Sequence, residues 1–333
     1  MKAGFFVRKN FRIDQVYRKS PFFLSSRVHK LNAFPSHCYI KREDELAFDA
    51  KTRKYSSLAS FLLQRGIKNA LVIGSPYSNN VLAALQILRQ MQIRPIPFLL
   101  KPHSNDIQGN LLLSTLFTKL EDIHWIDRRS WPKVQSKAEK LAQSQMQTIV
   151  IPEGAFMKEA LIGAATLGSD ILQNEANSGV SFDHIFLSAG TGMTAFSLLL
   201  YFSAIQKKVQ LHIVSMAEEK QGLLKKLEKC RSFWNDLGLP EISSLTPYHI
   251  IRPESNASFG SIGPGLFRFI HTFAKEEGIL LDPIYNAKLF LEGKKQIKKQ
   301  RLKGNILFVH SGGQMTLSGF QTVLAKQLEQ HRR

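Results

Sequence analysis

An open α/β architecture on mostly parallel strands is what this sequence predicts, and three observations predict it. Short β-rich apolar runs alternate with helical patterns from about residue 68 onward. The runs are continuous rather than strictly alternating, as strands buried on both faces of a parallel sheet should be. At 333 residues and 44% hydrophobic content the chain can bury such a core, and its length suggests two domains or lobes.

In chain order, "NALVIGS" (69–75) reads as a strand and "NNVLAALQILRQMQ" (79–92) as the helix that follows it. "RPIPFLL" (94–100) and "QTIVIPEG" (147–154) are further strands, the latter leading into the helical "KEALIGAATLGSDILQNEA" (158–176). "HIFLSAG" (184–190) precedes the helix "MTAFSLLLYFSAIQ" (193–206), and "VQLHIVSMA" (209–217) precedes a helix over 218–238. "GNILFVHSGG" (304–313) is the last strand. No internal repeat or low-complexity tract interrupts the pattern. In such sheets ligands bind beyond the carboxyl ends of the strands, so the strand-to-helix turns are where chemistry is expected.

Composition narrows the classes. Cys38 and Cys230 are the only cysteines, which excludes a disulfide framework and cysteine-based metal sites; no metal is expected. The start "MKAGFFVRKNFRID" has too short an apolar run for an export signal. The longest apolar stretch, Ala195 to Ile205, falls short of the roughly 20 residues that span a bilayer. A soluble, cytoplasmic protein without membrane contact is expected. The net charge of +19 would draw in anions. Its two pools, the segment up to Lys30 and "KKQIKKQRLK" (294–303), lack interleaved aromatics, and no nucleic-acid-binding motif accompanies them, so no specific nucleic-acid partner is expected.

Three turns directly follow apolar strands: "GSPYSNN" from Gly74, "SAGTGMT" from Ser188 and "HSGGQ" from His310. In the second, glycines between strand and helix let backbone amides face an anion at the positive end of a helix. It is neither a nucleotide P-loop nor a dinucleotide fingerprint. Taken alone it is equally a structural glycine turn, and "SNN" taken alone is equally a helix N-cap. "FDAKTRKY" (48–55) crowds Lys51, Arg53 and Lys54 beside Asp49, which on its own reads as a solvated helix start.

Together, the order "KRED", "KTRK", "SNN", the glycine-threonine turn, "EGILLDPIY" and "HSGG" resembles the fold-type-II pyridoxal-phosphate enzymes of the 1-aminocyclopropane-1-carboxylate deaminase and D-cysteine desulfhydrase group. The resemblance runs from about Lys41 to the C-terminus, and "EGILLDPIYNAK" is its most specific piece. It implies a tryptophan synthase β-like fold with two open, twisted, mostly parallel sheets flanked by helices. Residues 1–53 plus 162–333 would form a large cofactor-binding domain and 54–161 a small one, with the active site between them. The implied cofactor is pyridoxal 5′-phosphate, the partner a small amino-acid substrate, and the assembly a homodimer.

By this resemblance Lys51 forms the Schiff base with the cofactor, a role that needs a partly neutral amine, which nearby cations favour. Lys54 supports the phosphate electrostatically; Arg53 carries no assigned role and could be only a surface residue. The backbone around Gly190, Thr191, Gly192, Met193 and Thr194 holds the phosphate, and Asn79 bonds the phenolic oxygen. Ser78 and the helix start with Asn79 and Asn80 receive the substrate carboxylate, a placement that suits a helix N-terminus. Tyr285 lies near the reacting carbon and Ser311 faces the pyridine nitrogen.

The sequence departs from the group's pattern where "GN" before the lysine becomes Asp49 and Ala50, with Asp49 facing solvent or stabilising a protonated imine. Asn80 stands for His or Gln, and "EGAF" (153–156) stands for a "GGS"-like turn. Phe259, on the substrate side, stands for a tyrosine, and Asn286 for a glutamate, of the deaminase branch. The leading expectation is β-elimination from D-cysteine to pyruvate, ammonia and sulfide, with Lys51, Ser78 and Tyr285 as the catalytic set. The alternatives are cyclopropane deamination to 2-oxobutanoate, a cofactor-binding homologue that has lost catalysis, and an anion-binding or nucleic-acid-associated protein.

Overall fold

The computed structural model describes residues 20–330, apart from 36, 104–105, 217 and 255–259. Two sheets organise it. The larger is built from β1 (Val28–Lys30), β2 (Cys38–Arg42), β8 (His184–Ala189), β9 (Gln210–Ser215), β10 (Tyr248–Ile251) and β11 (Ile306–His310), in the order β1-β2-β11-β8-β9-β10. Only the β1–β2 pairing is antiparallel. The smaller joins β4 (Asn69–Gly74), β5 (Arg94–Leu100), β6 (His124–Ile126) and β7 (Thr148–Ile151) in the order β6-β5-β4-β7, all parallel. A further strand, β3 (Ala47–Ala50), leads from the larger sheet into α1 (Lys51–Gln64). The expected architecture of two mostly parallel sheets flanked by helices is therefore present.

The helices α2 (Asn79–Gln90), α5 (Lys158–Ser178), α6 (Met193–Ala204) and α7 (Lys220–Asp236) occupy the positions their patterns predict. The remaining helices are α3 (Gly109–Ser114), α4 (Val134–Gln143), α8 (Pro264–Glu277), α9 (Asn286–Gln300) and α10 (Gln321–Gln330). Helix α6 is apolar all round because it is enclosed: Ala195, Phe196, Leu198, Leu199 and Leu200 are all fully buried between α5 and the larger sheet. On the sheet's other face Phe186, Phe308 and Phe290 stack at centroid distances of 5.0 and 4.8 Å.

Strand β5 tolerates Pro95 and Pro97 because β6 pairs only with Phe98–Leu100, so the missing N–H groups fall on a side with no ladder to lose. The charge run at 294–303 lies largely on the exposed face of α9, where Lys294 covers the Phe34 ring at 5.3 Å and Lys295 pairs with Glu254. Among the described residues no helix is long and apolar enough to cross a membrane.

Candidate active site

The carboxyl ends of β4, β7, β8, β9 and β11 and the first turns of α1, α2 and α6 converge on one cavity of about 320 Å³. Of the residues singled out in the sequence, Lys51, Lys54, Ser78, Asn79, Asn80, Gly190, Thr191, Gly192, Met193, Thr194, Tyr285 and Ser311 all line it. Phe259 lies outside the described residues.

Lys51 and Lys54 stand three residues apart on α1 and so share a face. The Lys51 ammonium donates to the Ser311 carbonyl at 3.3 Å. Lys54 is buried and donates to the Gly154 carbonyl at 2.7 Å and to Asn80 Oδ1 at 3.1 Å. Burial, with Lys51 adding repulsion, lowers its amine to about 7.

Arg53 corrects the expectation of a surface residue, for it is fully buried on the other side of α1. Its guanidinium grips Glu43 with two nitrogens, donates to Asp170 at 2.7 Å and reaches Thr166 at 3.3 Å. Lys41, also fully buried, pairs with the same Asp170 and donates to the Ser26 carbonyl at 2.6 Å. Two cations and two carboxylates thus neutralise one another inside the protein, because a lone buried charge would be prohibitive.

The turn between β8 and α6 forms an anion cradle. Gly192 caps α6 at φ +87°, a left-handed conformation, and a Cβ there would come within 2.4 Å of the Phe196 ring. A second close approach brings in the loop after β7: a Cβ on Gly154 would stand 2.4 Å from Thr191 Oγ1. Backbone amides at the start of a buried helix therefore face the cavity without side chains in the way.

Ser78 performs the capping role that its position allows, its Oγ accepting from Asn80 N at 3.1 Å and Val81 N at 3.4 Å. Its hydroxyl proton is still available to the cavity. Asn79 is held by its Oδ1, which accepts from Asn110 at 2.7 Å and Thr316 at 2.9 Å.

"DPIYN" and "HSGG" lock together through Asp282, which is fully buried and accepts from the backbone N–H groups of Ile284, Tyr285 and Asn286. Tyr285 is thereby fixed against the cradle, its hydroxyl 3.2 Å from where a Cβ on Gly190 would stand. Burial, Asp282 and Glu153 raise its phenol pKa, so it stays protonated. Asn286 is fully buried too; its amide donates to the Gly312 carbonyl at 2.6 Å and accepts from Ser311 N at 2.9 Å. It does not line the cavity, so it shapes the Ser311 turn instead of presenting a polar group to a ligand. Asp49 turns inward, accepting from Gly313 N at 2.8 Å from a backbone at φ +53°. Aspartate tolerates that conformation better than most residues.

The sequence did not mark Ser75, Glu153, Glu218 or Lys226 as site residues, yet all four line the cavity. Glu153 and Ser75 follow strands, so the rule used for the other turns could have found them. Glu218 and Lys226, which pair with each other, carry no local signal. Burial and Glu218 raise the Glu153 pKa, while Lys226 draws it down.

A family model described as pyridoxal-phosphate dependent enzyme matches residues 13–312. D-cysteine desulfhydrase of Serratia proteamaculans is 23% identical over 321 residues, covering 93% of this chain and 96% of that protein. 1-Aminocyclopropane-1-carboxylate deaminase of Burkholderia lata is 25% identical over 309 residues, covering 85% of this chain and 88% of its own. Among solved structures, an ACC deaminase homologue superposes with a TM-score of 0.79 at 22% identity, covering 95% of this chain and 98% of that one. Threonine deaminase isoform 2 from Solanum lycopersicum gives 0.65 at 15%, covering 96% and 93%. Because the family match runs through both sheets and every turn that lines the cavity, the chain belongs to the pyridoxal-phosphate dependent enzymes, with the architecture of their fold-type-II branch.

Proposed function

We propose that this enzyme removes a β-substituent from a small amino acid, with D-cysteine yielding pyruvate, ammonia and sulfide. The observation that carries the reading is that a lysine amine, an amide-lined anion cradle and a capped helix start open onto one cavity. The residues fit pyridoxal phosphate: a Cβ would fill the cradle, and the buried Lys54 ammonium has only neutral hydrogen-bond partners, leaving it to be matched by an anion.

In this reading the amides of Gly190 to Thr194 and the Lys54 ammonium hold the phosphate, Asn79 donates to the ring's phenolic oxygen, and Ser311 faces the ring nitrogen. When bound, the cofactor supplies an electron sink for negative charge at Cα. Lys51 Nζ would hold the cofactor's aldehyde end and, once freed by the substrate amine, would take the Cα proton. Ser78 Oγ–H and the positive end of α2, with Asn79 and Asn80, bind and orient the substrate carboxylate. Tyr285, kept protonated, stands by the cradle as a hydrogen-bond donor. Thiolate leaves readily, and water then releases pyruvate and ammonia.

The relatives' names support both a desulfhydrase and a cyclopropane deaminase. Asn286 favours the first, because an amide whose hydrogen bonds are spent on Asp282 and the Ser311 turn cannot exchange protons with ring carbons. Cofactor-saturated protein should form pyruvate and sulfide from D-cysteine and little 2-oxobutanoate from 1-aminocyclopropane-1-carboxylate. Preference for the cyclopropane refutes the lyase reading, and silence on both substrates favours a homologue that binds the cofactor without this catalysis. Residues 1–53 plus 162–333 would act as the cofactor-binding domain and 54–161 as the small domain. A cytoplasmic homodimer completes the proposal, in keeping with two buried free thiols.

The cradle has its own test. Gly192→Val places a branched side chain on the Phe196 ring at a left-handed position and should release the cofactor. Retention of pyridoxal phosphate through dialysis, with an unchanged circular dichroism spectrum, would show that the phosphate binds elsewhere.

A further inference from the structure

Lys54 is a buried cation with an unusual set of neighbours. Its two hydrogen-bond acceptors are neutral, the Gly154 carbonyl on the loop after β7 and the Asn80 amide at the start of α2. Among the described residues no carboxylate lies in ion-pair range of it, whereas Arg53 on the same helix has two. Lys51, three residues earlier on its own face, repels it. The other charged groups of the cavity are Glu153 beside Gly154, and Glu218 and Lys226, which are paired with each other. Tyr285, across the cradle, stays neutral because burial raises its phenol pKa. A charged amine in such a place is desolvated without compensation until an anion arrives. Gly154, which holds the amine, also packs on Thr191 of the cradle, so an anion seated there would come close to it.

We propose that Lys54 makes binding of the cofactor's phosphate proton-coupled: the site gains a proton on this amine as the phosphate enters. The inference rests on the reading of the cavity as a pyridoxal-phosphate site and goes beyond it, since a permanently charged lysine would hold a phosphate equally well without any linkage. The depressed amine, at about 7 before binding, supports it. If the phosphate keeps the amine charged after binding, affinity falls as pH rises through that value. Ionisation of the phosphate itself, near pH 6, acts the other way, because the dianion binds better as pH rises.

The test uses the full chain stripped of cofactor and pyridoxine 5′-phosphate, whose alcohol cannot form an imine with Lys51. Between pH 6.5 and 8.5 its affinity for the parent, measured relative to Lys54→Arg so that the ligand's own ionisation cancels, should weaken roughly 25-fold. Lys54→Arg, always charged, should remove that slope, and any titration of the ligand's own ring is cancelled by comparing the two proteins. Lys54→Met should bind weakly with the same flat profile. On the parent alone, calorimetry near pH 8 in buffers of different ionisation enthalpy should report uptake of close to one proton. Equal slopes in the parent and both variants, or no proton uptake, overturns the proposal while leaving the cofactor site in place. Failure of the parent to bind pyridoxine 5′-phosphate at any pH instead removes the cofactor reading, and this inference with it.

Discussion

Lys51→Ala is expected to abolish turnover of D-cysteine, with a loss of at least about a thousandfold, because in the proposed mechanism one amine both anchors the cofactor and moves the Cα proton. Borohydride reduction followed by peptide mapping should label Lys51 in the parent and nothing in the variant. The competing candidate is Lys54, which lines the same cavity from the same helix face. Its amine, however, is already engaged by Gly154 and Asn80 beside the cradle, the place for a phosphate contact. Lys51 instead rests on the carbonyl of Ser311, the residue assigned to the ring nitrogen. A label found on Lys54 would exchange the two assignments, and a fully active Lys51→Ala would end the lyase proposal.

The second large effect is on stability. Asp170→Ala should destabilise the fold by about 3–5 kcal/mol, because it leaves the fully buried Lys41 and Arg53 with Glu43 as their remaining carboxylate. Urea denaturation followed by tryptophan fluorescence measures this, and a loss under about 1 kcal/mol would mean that the site relaxes or admits water. The pH dependence has a definite sign. Burial raises the Asp170 carboxyl, but Arg53 and Lys41 outweigh it and leave its pKa below the usual value. Its stabilisation is therefore complete above the unfolded value of about 3.9 and is lost as pH falls through the lower folded value. The parent's acid limb should carry this contribution, and the Asp170→Ala limb should lack it.

The sequence displayed those parts of the fold that repeat locally. Continuous apolar runs marked β4, β5, β7, β8, β9 and β11, and the glycines after β8 marked a turn that admits an anion. The three-residue strands β1 and β6 are too short to show a pattern. The burial of Arg53 is illegible for a different reason: Glu43 and Asp170, which neutralise it, stand 10 and 117 positions away, and no local pattern reports such a pairing. Asn286 illustrates the same limit. Its replacement of a glutamate was visible, whereas its hydrogen bond to Gly312, 26 positions on, was not. "EGILLDPIYNAK" was recognisable as a motif, but its physical reason is Asp282, whose buried carboxylate gathers three successive backbone N–H groups.

The order of the larger sheet bears on how the chain matures. Strand β11 lies between β2 and β8, so residues 306–310 join two strands that are both synthesised well before them. Until that late segment leaves the ribosome, β2 has no parallel partner, and the helix bearing Lys51 and Lys54 lacks the Ser311 turn it rests on. The parallel β4-to-β7 sheet, complete by residue 151, can assemble much earlier. Pairings of such long sequence separation form slowly. A nascent chain released before β11 should therefore emerge with its smaller sheet formed, its N-terminal strands unanchored and its lysines unable to retain a cofactor.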